Sequence, residues 1–209
     1  MHQATQFDKY RAELLRWNAR INLTAITDEN EIVHKHFLDS LSVLEHIAVK
    51  KGDAVIDIGT GAGFPGIVLK IYVPDIRLTL VEASEKKGSF LKFLISQLNL
   101  YQEVNAHQKV NVEVLTERAE VCARDPDRVG AYDWVFTRYV ATLRDSAVYC
   151  LPFLKPTGKW VAYKLGQERI DTEIDDSTTH MSALGGNIET VFTNPKFNRS
   201  YVVVRRSNT

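Results

Sequence analysis

The sequence predicts an α/β fold, in which a doubly wound and mostly parallel sheet follows an N-terminal α-helical cap. Three observations support this prediction. An apolar run of strand length enters a glycine-rich turn within residues 53–69 and continues as a helix. Strand and helix patterns then alternate along the chain. Two consecutive strand patterns come last, which predicts a terminal antiparallel hairpin.

The cap is predicted from helical periodicity in the first 50 residues. Apolar side chains recur three and four residues apart on one face of a first helix: Phe7, Tyr10, Leu14, Trp17 and Ile21. Asp28 with Glu31 three residues later predicts a capping box that begins a second helix. We therefore divide the chain into a helical cap, residues 1–50, and a sheet domain, residues 51–209.

The remaining elements follow in order. Strands are predicted at residues 54–58, 77–82, 110–115, 134–137, 159–164, 188–193 and 201–205. Helices are predicted at residues 67–72, 89–100 and 143–153, and an acidic helical stretch precedes Gly185. Pro152 and Pro156 are expected to separate the helix ending at residue 153 from the strand after it.

The glycine turn is the first candidate binding site. Gly59, Gly61, Gly63 and Gly66 are expected to take positive φ and to let a ligand approach the backbone. Pro65 fits the first turn of the next helix. Gly61-x-Gly63-x-x-Gly66 also satisfies the dinucleotide fingerprint, with Glu82 where an acid that binds ribose is expected. Glycine spacing therefore leaves the ligand open.

Asp57 separates the possible ligands. It gives Asp-x-Gly-x-Gly, which resembles the first motif of class I S-adenosylmethionine (SAM) methyltransferases, a Rossmann-like fold. A carboxylate at this strand end suits the cationic amino-acid part of SAM and would repel a pyrophosphate. A dehydrogenase that uses the same glycines, and a non-catalytic ribosome-binding module, are the two rival hypotheses.

Composition limits the other function classes. With 26 basic and 26 acidic residues, the chain has no overall attraction for nucleic acid, so RNA binding requires a local basic face. No apolar run reaches the ~20 residues that span a bilayer, and the N-terminus has no signal pattern, which predicts a cytoplasmic protein. Cys122, Cys150, His34 and His36 lack the spacing of metal ligands, so no metal is expected.

Several further motifs make a family resemblance specific. They are Trp17-Asn18, Asn22-Leu23-Thr24, His36-x-x-Asp39-Ser40, the glycine motif with Gly63-Phe-Pro-Gly66, Glu82 with Lys86-Lys87 and Phe90-Leu91, Arg118-Ala119-Glu120, Arg138 and Lys164. Together they resemble the small-subunit ribosomal RNA guanine N-7 methyltransferases, known as RsmG or glucose-inhibited division protein B. Two positions depart from that pattern. Tyr139 replaces a small residue, and Leu165 separates Lys164 from the glycine that usually follows it.

The resemblance implies methyl transfer from SAM to N-7 of a guanine in the decoding-region loop of 16S ribosomal RNA, in the small ribosomal subunit. It implies a cofactor site made of Asp57, Gly59, Gly61, Gly63, Phe64, Glu82, Ala119, Glu120 and Arg138. Within it, Glu82 would bind the ribose, while Ala119 and Glu120 would contact the adenine. Simpler roles remain open: Phe64 as a core aromatic, Glu82 or Glu120 as a solvated acid, and Arg138 in an ion pair with an acid such as Asp57 or Asp133.

The chemistry of the acceptor fits this resemblance. The N-7 lone pair of guanine needs no general base, so positioning by Arg138 and Lys164 is expected rather than proton transfer. A cysteine nucleophile is not expected, and Asn194-Pro195-Lys196-Phe197 is interpreted as a turn. RNA phosphates are expected to meet a basic group of side chains on a monomeric protein: Lys86, Lys87, Arg118, Arg144 and Lys164.

Overall fold

The computed structural model describes residues 2–100, 112–166 and 170–207. A seven-stranded sheet has the order β3-β2-β1-β4-β5-β7-β6. Its strands are β1 (Ala54–Ile58), β2 (Arg77–Val81), β3 (Val112–Leu115), β4 (Tyr132–Arg138), β5 (Leu154–Leu165), β6 (Gly186–Asn194) and β7 (Arg199–Arg206). The first five strands are parallel, and β7 pairs antiparallel with both β5 and β6. The predicted fold class is confirmed.

Helices lie between the strands and before them. They are α1 (Gln3–Asn18), α2 (Glu29–Ile32), α3 (Asp39–Leu41), α4 (Gly66–Tyr72), α5 (Glu85–Gln97), α6 (Ala119–Cys122), α7 (Leu143–Cys150) and α8 (Ile170–Ala183). Short 3-10 turns span Leu151–Phe153 and Pro195–Phe197. Of the helices in the described part of the chain, none has the length and apolar character needed to cross a membrane.

The second helix of the cap differs from the uniform helix that was predicted. A π-helical segment, Val33–Leu38, connects α2 to α3, and a 3-10 segment, Ser42–Glu45, follows. Asp28 caps α2 as predicted, accepting from the amides of Asn30 and Glu31. Glu31 does not complete the capping box, because its carboxylate pairs with Lys35 Nζ at 2.6 Å. The helix start was therefore predicted correctly, but its reciprocal bond was not.

The strand predictions need one boundary correction. β5 begins at Leu154, before Pro156, because its pairing with β4 shifts register between Tyr132 and Trp134. Such an irregularity admits a residue that cannot donate to the ladder. Pro156 therefore does not delay the strand. The predicted third strand is found at β3, and its positions 110 and 111 lie outside the described residues.

The cap and one face of the sheet share a hydrophobic core. Tyr10, Leu14 and Phe37 of the cap are buried in the same cluster as Ile67 and Leu91, which follow β1 and β2. A second cluster around Trp160 covers the opposite face, beneath α7 and α8. Parallel strands β1 and β4 are neighbours although they are not consecutive, so the strand order reverses between them. Ligands bind outside the carboxyl ends of the strands at such a reversal.

Candidate active site

The glycine loop connects β1 to α4 at this reversal. Gly59, Gly61 and Gly63 have φ of +67°, +61° and +104°, as the sequence predicts. Gly66 does not share this conformation, because it begins α4. A Cβ at Gly66 would lie 2.6 Å from Leu80 Cδ2. The same Cβ would lie 2.8 Å from Asp57 Oδ2, so close packing of the helix start against β1 and β2, rather than backbone freedom, explains glycine at position 66.

Asp57 lies beneath the loop and is fully buried. Its Oδ2 accepts from Thr60 Oγ1 at 2.6 Å and from the Gly66 amide at 2.7 Å. Its Oδ1 is buried with no hydrogen-bond partner among the described residues. Burial raises the pKa of the Asp57 carboxyl to about 6, although both hydrogen bonds oppose that shift. Oδ2 thus holds the loop, and Oδ1 is the oxygen left for a cationic ligand. That contact stays a prediction.

Glu82 braces the same loop from the end of β2. It is only 9% exposed, and its Oε2 accepts from the Gly61 amide at 3.0 Å. Its Oε1 accepts from the Ser84 amide at 2.9 Å. The alternative of a solvated strand-end acid is therefore wrong. Two neighbouring strand ends, one carrying Asp57 and the other Glu82, fix the glycine loop with carboxylates.

The loop is open at one glycine and covered at another. A Cβ on Gly61 would meet nothing closer than 4.0 Å, so a ligand can approach the backbone there. A Cβ on Gly59 would lie 2.7 Å from Val140 Cγ2, in the segment that follows β4. Access to the loop is therefore from the side of Gly61, and Val140 limits it at Gly59.

Phe64 connects the loop to the cap. Its ring stacks on Tyr10 at a centroid distance of 5.3 Å and on His36 at 4.5 Å. The Tyr10 hydroxyl donates to the Ala62 carbonyl at 2.6 Å. Phe64 is thus a core aromatic, the simpler of its two predicted roles, and its contact with the methionine part of a cofactor stays a prediction. The helical cap supports the site through these rings.

Arg138 ends β4 and forms a buried ion pair. Its Nη1 donates to Asp39 Oδ2 at 2.9 Å, while Arg199 Nε and Nη2 donate to the two Asp39 oxygens at 2.8 Å. The partner acid is therefore Asp39, and neither Asp57 nor Asp133 takes that place. Asp133 instead accepts from Lys155 Nζ at 2.7 Å. Sequence reasoning missed Arg199, which nothing in the local pattern of the terminal strand marks as special.

His36 completes this network. Its Nδ1 lies 3.1 Å from Arg138 Nη2 and its Nε2 lies 2.7 Å from Thr24 Oγ1. Burial, together with the nearby Arg138 charge, lowers the pKa of the imidazole to about 4, so His36 is neutral at pH 7. His34 is exposed and packs against Phe197. One histidine is thus exposed, and the other belongs to the buried network with Asp39, which begins α3.

Lys164 links segments around the end of β4. Its Nζ donates to the Ala141 carbonyl and to Glu173 Oε1, both at 2.7 Å, and its side chain is 15% exposed. The Leu143 amide also donates to Glu173 Oε1, at 2.6 Å. Lys164 therefore fixes the segment between β4 and α7, as a positioning residue does. Its geometry gives no support to the prediction that it binds RNA.

The other predicted residues lie on the helices that follow β2, β3 and β4, or just before them. Ala119 and Glu120 begin α6, where Glu120 is exposed and Ala119 is half-buried. The predicted basic residues lie in the first turns of the helices or just before them: Lys86 and Lys87 on α5, Arg118 before α6, and Arg144 on α7. Lys86, Arg118 and Arg144 are exposed, and Lys87 is half-buried.

Metal-binding and thiol chemistry have little basis in the described part of the chain. Residues 2–100, 112–166 and 170–207 contain no group of three or more His, Cys, Asp or Glu side chains that could hold a metal ion. Cys122 and Cys150 are both buried, and burial raises the pKa of each thiol. Neither thiol is poised as a nucleophile.

Residues 3–196 match the family described as GidB, rRNA small subunit methyltransferase G. The chain belongs to this family. Among its relatives, the ribosomal RNA small subunit methyltransferase G of Lachnoclostridium phytofermentans is 39% identical over 90% of this chain and 73% of that protein. The protein of the same name from Roseiflexus sp. is 46% identical over 89% of this chain and 74% of that protein. The family predicted from the sequence motifs is confirmed.

Solved structures of other proteins share the fold of this family member. A SAM-dependent methyltransferase from Aquifex aeolicus superposes with a TM-score of 0.61 at 18% identity, over 83% of this chain and 92% of that one. A structure of MtNAS in complex with S-adenosylmethionine gives a TM-score of 0.64 at 15% identity, over 99% of this chain and 77% of that one. At these identities the likeness concerns the fold.

Proposed function

We propose that this member of the rRNA small subunit methyltransferase G family transfers the methyl group of SAM to N-7 of a guanine in the decoding-region loop of 16S ribosomal RNA. The observation that carries the proposal is the family match over residues 3–196, which includes the whole glycine loop and the end of β4. We further propose a cytoplasmic monomer that needs no metal ion.

The residues present fit SAM. Gly61 leaves space above the loop, and the buried Oδ1 of Asp57 lacks a partner among the described residues. Asp57, Gly59, Gly61 and Gly63 would hold the amino-acid end of the cofactor, and Glu82 would accept from its ribose. Ala119 and Glu120, at the start of α6, would contact its adenine. A rigid loop lowers the entropic cost of binding, because its conformation is already set by two carboxylates.

The chemistry requires alignment rather than proton transfer. SAM supplies an electrophilic methyl group on a sulfonium, and the N-7 lone pair of guanine accepts it with no proton to remove. The neutral His36 and the buried Asp57 are therefore not needed as bases, and each serves the structure of the site. Lys164 and Glu173 fix the segment that follows β4, and such positioning can supply much of the rate acceleration.

RNA would be held by basic residues along the carboxyl edge of the sheet, most of which are exposed. Lys86, Lys87, Arg118 and Arg144 come from three successive helices around the glycine loop. Their charges are local, which suits a chain whose basic and acidic residues balance.

The test is methyl transfer from labelled SAM to isolated 30S subunits and to naked 16S RNA, followed by borohydride and aniline cleavage, which cuts at 7-methylguanine. We expect label in 16S RNA and one cleavage in the decoding-region loop. Label without cleavage would show that an atom other than guanine N-7 is methylated. Separate titrations with SAM and with NAD test the cofactor. Binding of NAD without binding of SAM would contradict the methyltransferase assignment.

A further inference from the structure

A pocket lies between the cap and the turn that joins β6 to β7. We call it the hairpin pocket; its volume is about 330 Å³. Its lining includes His34, Asp39, Tyr139, Leu165, Phe197 and Arg199. Arg138 lies between this pocket and the glycine loop, because it bonds Asp39 on one side and its guanidinium lies 5.2 Å from the Phe64 ring on the other.

Positive charge is in excess at the base of the hairpin pocket. Two buried guanidiniums, those of Arg138 and Arg199, share the single carboxylate of Asp39. No other carboxylate of the described residues hydrogen-bonds to either guanidinium, and His36 beside them is neutral at pH 7. A buried charge without a counter-charge is costly, so this base favours an anion.

One donor at this base has no partner. Arg199 is 5% exposed, and its Nη1 is buried without a hydrogen bond among the described residues, while Nε and Nη2 both bond Asp39. An unmade hydrogen bond on a buried charged group costs more than one on a neutral group. Because Arg199 lines the hairpin pocket, this N–H is the donor that an anionic oxygen bound there would satisfy.

The walls of the hairpin pocket are aromatic. Tyr139 is 60% exposed, its ring lies 4.5 Å from the Arg199 guanidinium, and its hydroxyl accepts from Arg199 Nη2. On the other side, Phe197 is flanked by the His34 ring at 5.0 Å and by Lys196 Nζ at 5.4 Å. Both positions at which the sequence departs from the family pattern, Tyr139 and Leu165, line this pocket.

We propose that the hairpin pocket binds one nucleotide of the substrate RNA, with its phosphate on Arg199 Nη1 and its base stacked on Phe197. This inference rests on the proposed function, since it names a second contact of the same substrate. Because Arg138 separates the pocket from the glycine loop, the bound nucleotide is a neighbour of the methylated guanine rather than the guanine itself. Aromatic stacking and a guanidinium are the usual means of holding an unpaired nucleotide.

The test uses CMP as the probe, on protein saturated with S-adenosylhomocysteine so that the nucleotide cannot enter the cofactor site. Binding is followed by the phosphorus resonance of CMP, beside titrations with cytidine followed by proton resonances and with inorganic phosphate. We expect CMP to bind at least tenfold more tightly than either cytidine or inorganic phosphate. Phe197→Ala, in a 3-10 turn with no buried residue, is expected to weaken CMP binding by about tenfold or more.

The matched control is Lys159→Ala, which removes a basic residue that pairs with Glu189, far along β5 from the pocket. It should leave CMP affinity unchanged. Arg199→Lys should weaken CMP more than cytidine, because lysine keeps the charge but lacks the third nitrogen. In RNA methylation, Phe197→Ala should raise KM for RNA while the melting temperature and S-adenosylhomocysteine affinity stay those of the wild type.

Equal CMP affinity in Phe197→Ala and wild type, or CMP binding no tighter than that of phosphate alone, would overturn the proposal. Preferential binding of phosphate would indicate an anion site without nucleotide recognition. If wild-type protein methylates no RNA while CMP binds as expected, the proposed function is contradicted but nucleotide binding in the hairpin pocket is not. The two failures are therefore distinguishable.

Discussion

Asp39 in the helical cap and Arg138 at the end of β4, 99 residues apart, form a buried ion pair of 2.9 Å. Arg199 joins the same carboxylate from β7. This contact fixes the cap against the carboxyl edge of the sheet, where the glycine loop lies. The cap is thus part of the site's support and is packed on the same core as the loop.

Removal of the shared carboxylate should destabilise the protein strongly. Asp39→Ala leaves two buried guanidiniums without a counter-charge, and we expect a loss of about 3–5 kcal/mol in the free energy of unfolding. Urea denaturation measures it. Asp8→Ala, which removes an exposed partner of Arg11, is the control and should change stability by less than about 1 kcal/mol. Equal effects of the two substitutions would contradict the role of Asp39.

Acid should destabilise the protein through His36. Its pKa in the folded state is about 4, below the ~6.5 of an unfolded histidine, so its contribution is present above pH 6.5 and is lost as the pH falls towards 4. The full loss is about 3 kcal/mol. We expect His36→Gln to flatten this part of the pH profile, and exposed His34→Gln to leave it unchanged.

Asp57 contributes with the opposite sign in an overlapping range. Its pKa is raised to about 6, so the folded state gains stability as the pH falls from 6 towards 4. The His36 effect is therefore read from the difference between variant and wild-type unfolding curves, in which the Asp57 contribution cancels. A His36→Gln profile parallel to that of the wild type between pH 6.5 and 4 would refute this titration.

Cofactor binding should depend on Asp57. Asp57→Ala removes the acceptor of the Thr60 and Gly66 bonds and the free oxygen beneath the loop. Loss of a hydrogen bond to a charged group costs about 1.5–3 kcal/mol, so SAM affinity should fall roughly tenfold to a hundredfold. Calorimetry measures this. Thr60→Val, which removes one donor and keeps the carboxylate, should give a smaller loss, and unchanged affinity in Asp57→Ala would end the assignment.

Cofactor binding should require Arg138, and lysine should not be able to replace it. Its two terminal nitrogens contact Asp39 and His36, a geometry that a single ammonium does not reproduce. We expect Arg138→Lys to weaken SAM binding nearly as much as Arg138→Ala. The Arg138→Ala protein should still fold, because Arg199 keeps Asp39 paired. Wild-type SAM affinity in that folded variant would refute a cofactor role, and lost RNA turnover there would assign Arg138 to the acceptor.

RNA affinity should be electrostatic and local. With about five phosphate contacts, the logarithm of affinity should fall against the logarithm of salt concentration with a slope of roughly −3 to −5. Lys86→Ala and Lys87→Ala should each reduce the slope by about 0.7–0.9. Lys51→Ala, which affects an exposed pair with Asp75, is the control. An RNA affinity that does not change with salt concentration would favour recognition through ribosomal proteins.

The sheet and the loop were predictable because their signals are local. The run from Ala54 to Ile58, followed by Gly59, Gly61 and Gly63, determines a strand and a turn within ten residues, and the alternation that follows determines the sheet class. Gly66 was expected to take positive φ, which was wrong. It is a glycine because of its close packing against Leu80, which belongs to the next strand. The dinucleotide fingerprint assigns its third glycine to such packing, whereas the expectation treated all four glycines alike.

The ion network was not predictable in the same way. His36 and Asp39 are three residues apart, a spacing that brings two side chains to one face of a helix, so their association was within reach of sequence reasoning. Arg199 contacts Asp39 across 160 residues, and only the antiparallel insertion of β7 between β5 and β6 brings them together. Lys164 was likewise predicted by type and place, but its partner Glu173 comes from a helix packed over it.

The position of β7 inside the sheet also affects synthesis on the ribosome. Ribosomes add about 5–20 residues per second, so the 160 residues between Asp39 and Arg199 take roughly 8–30 s to make. Until β7 is made, β5 has no strand on its outer side, and the cap has only its contacts with the earlier strands. The nascent chain therefore exposes the edge of β5 until β7 emerges from the exit tunnel, which makes this interval the time when chaperones have most to protect.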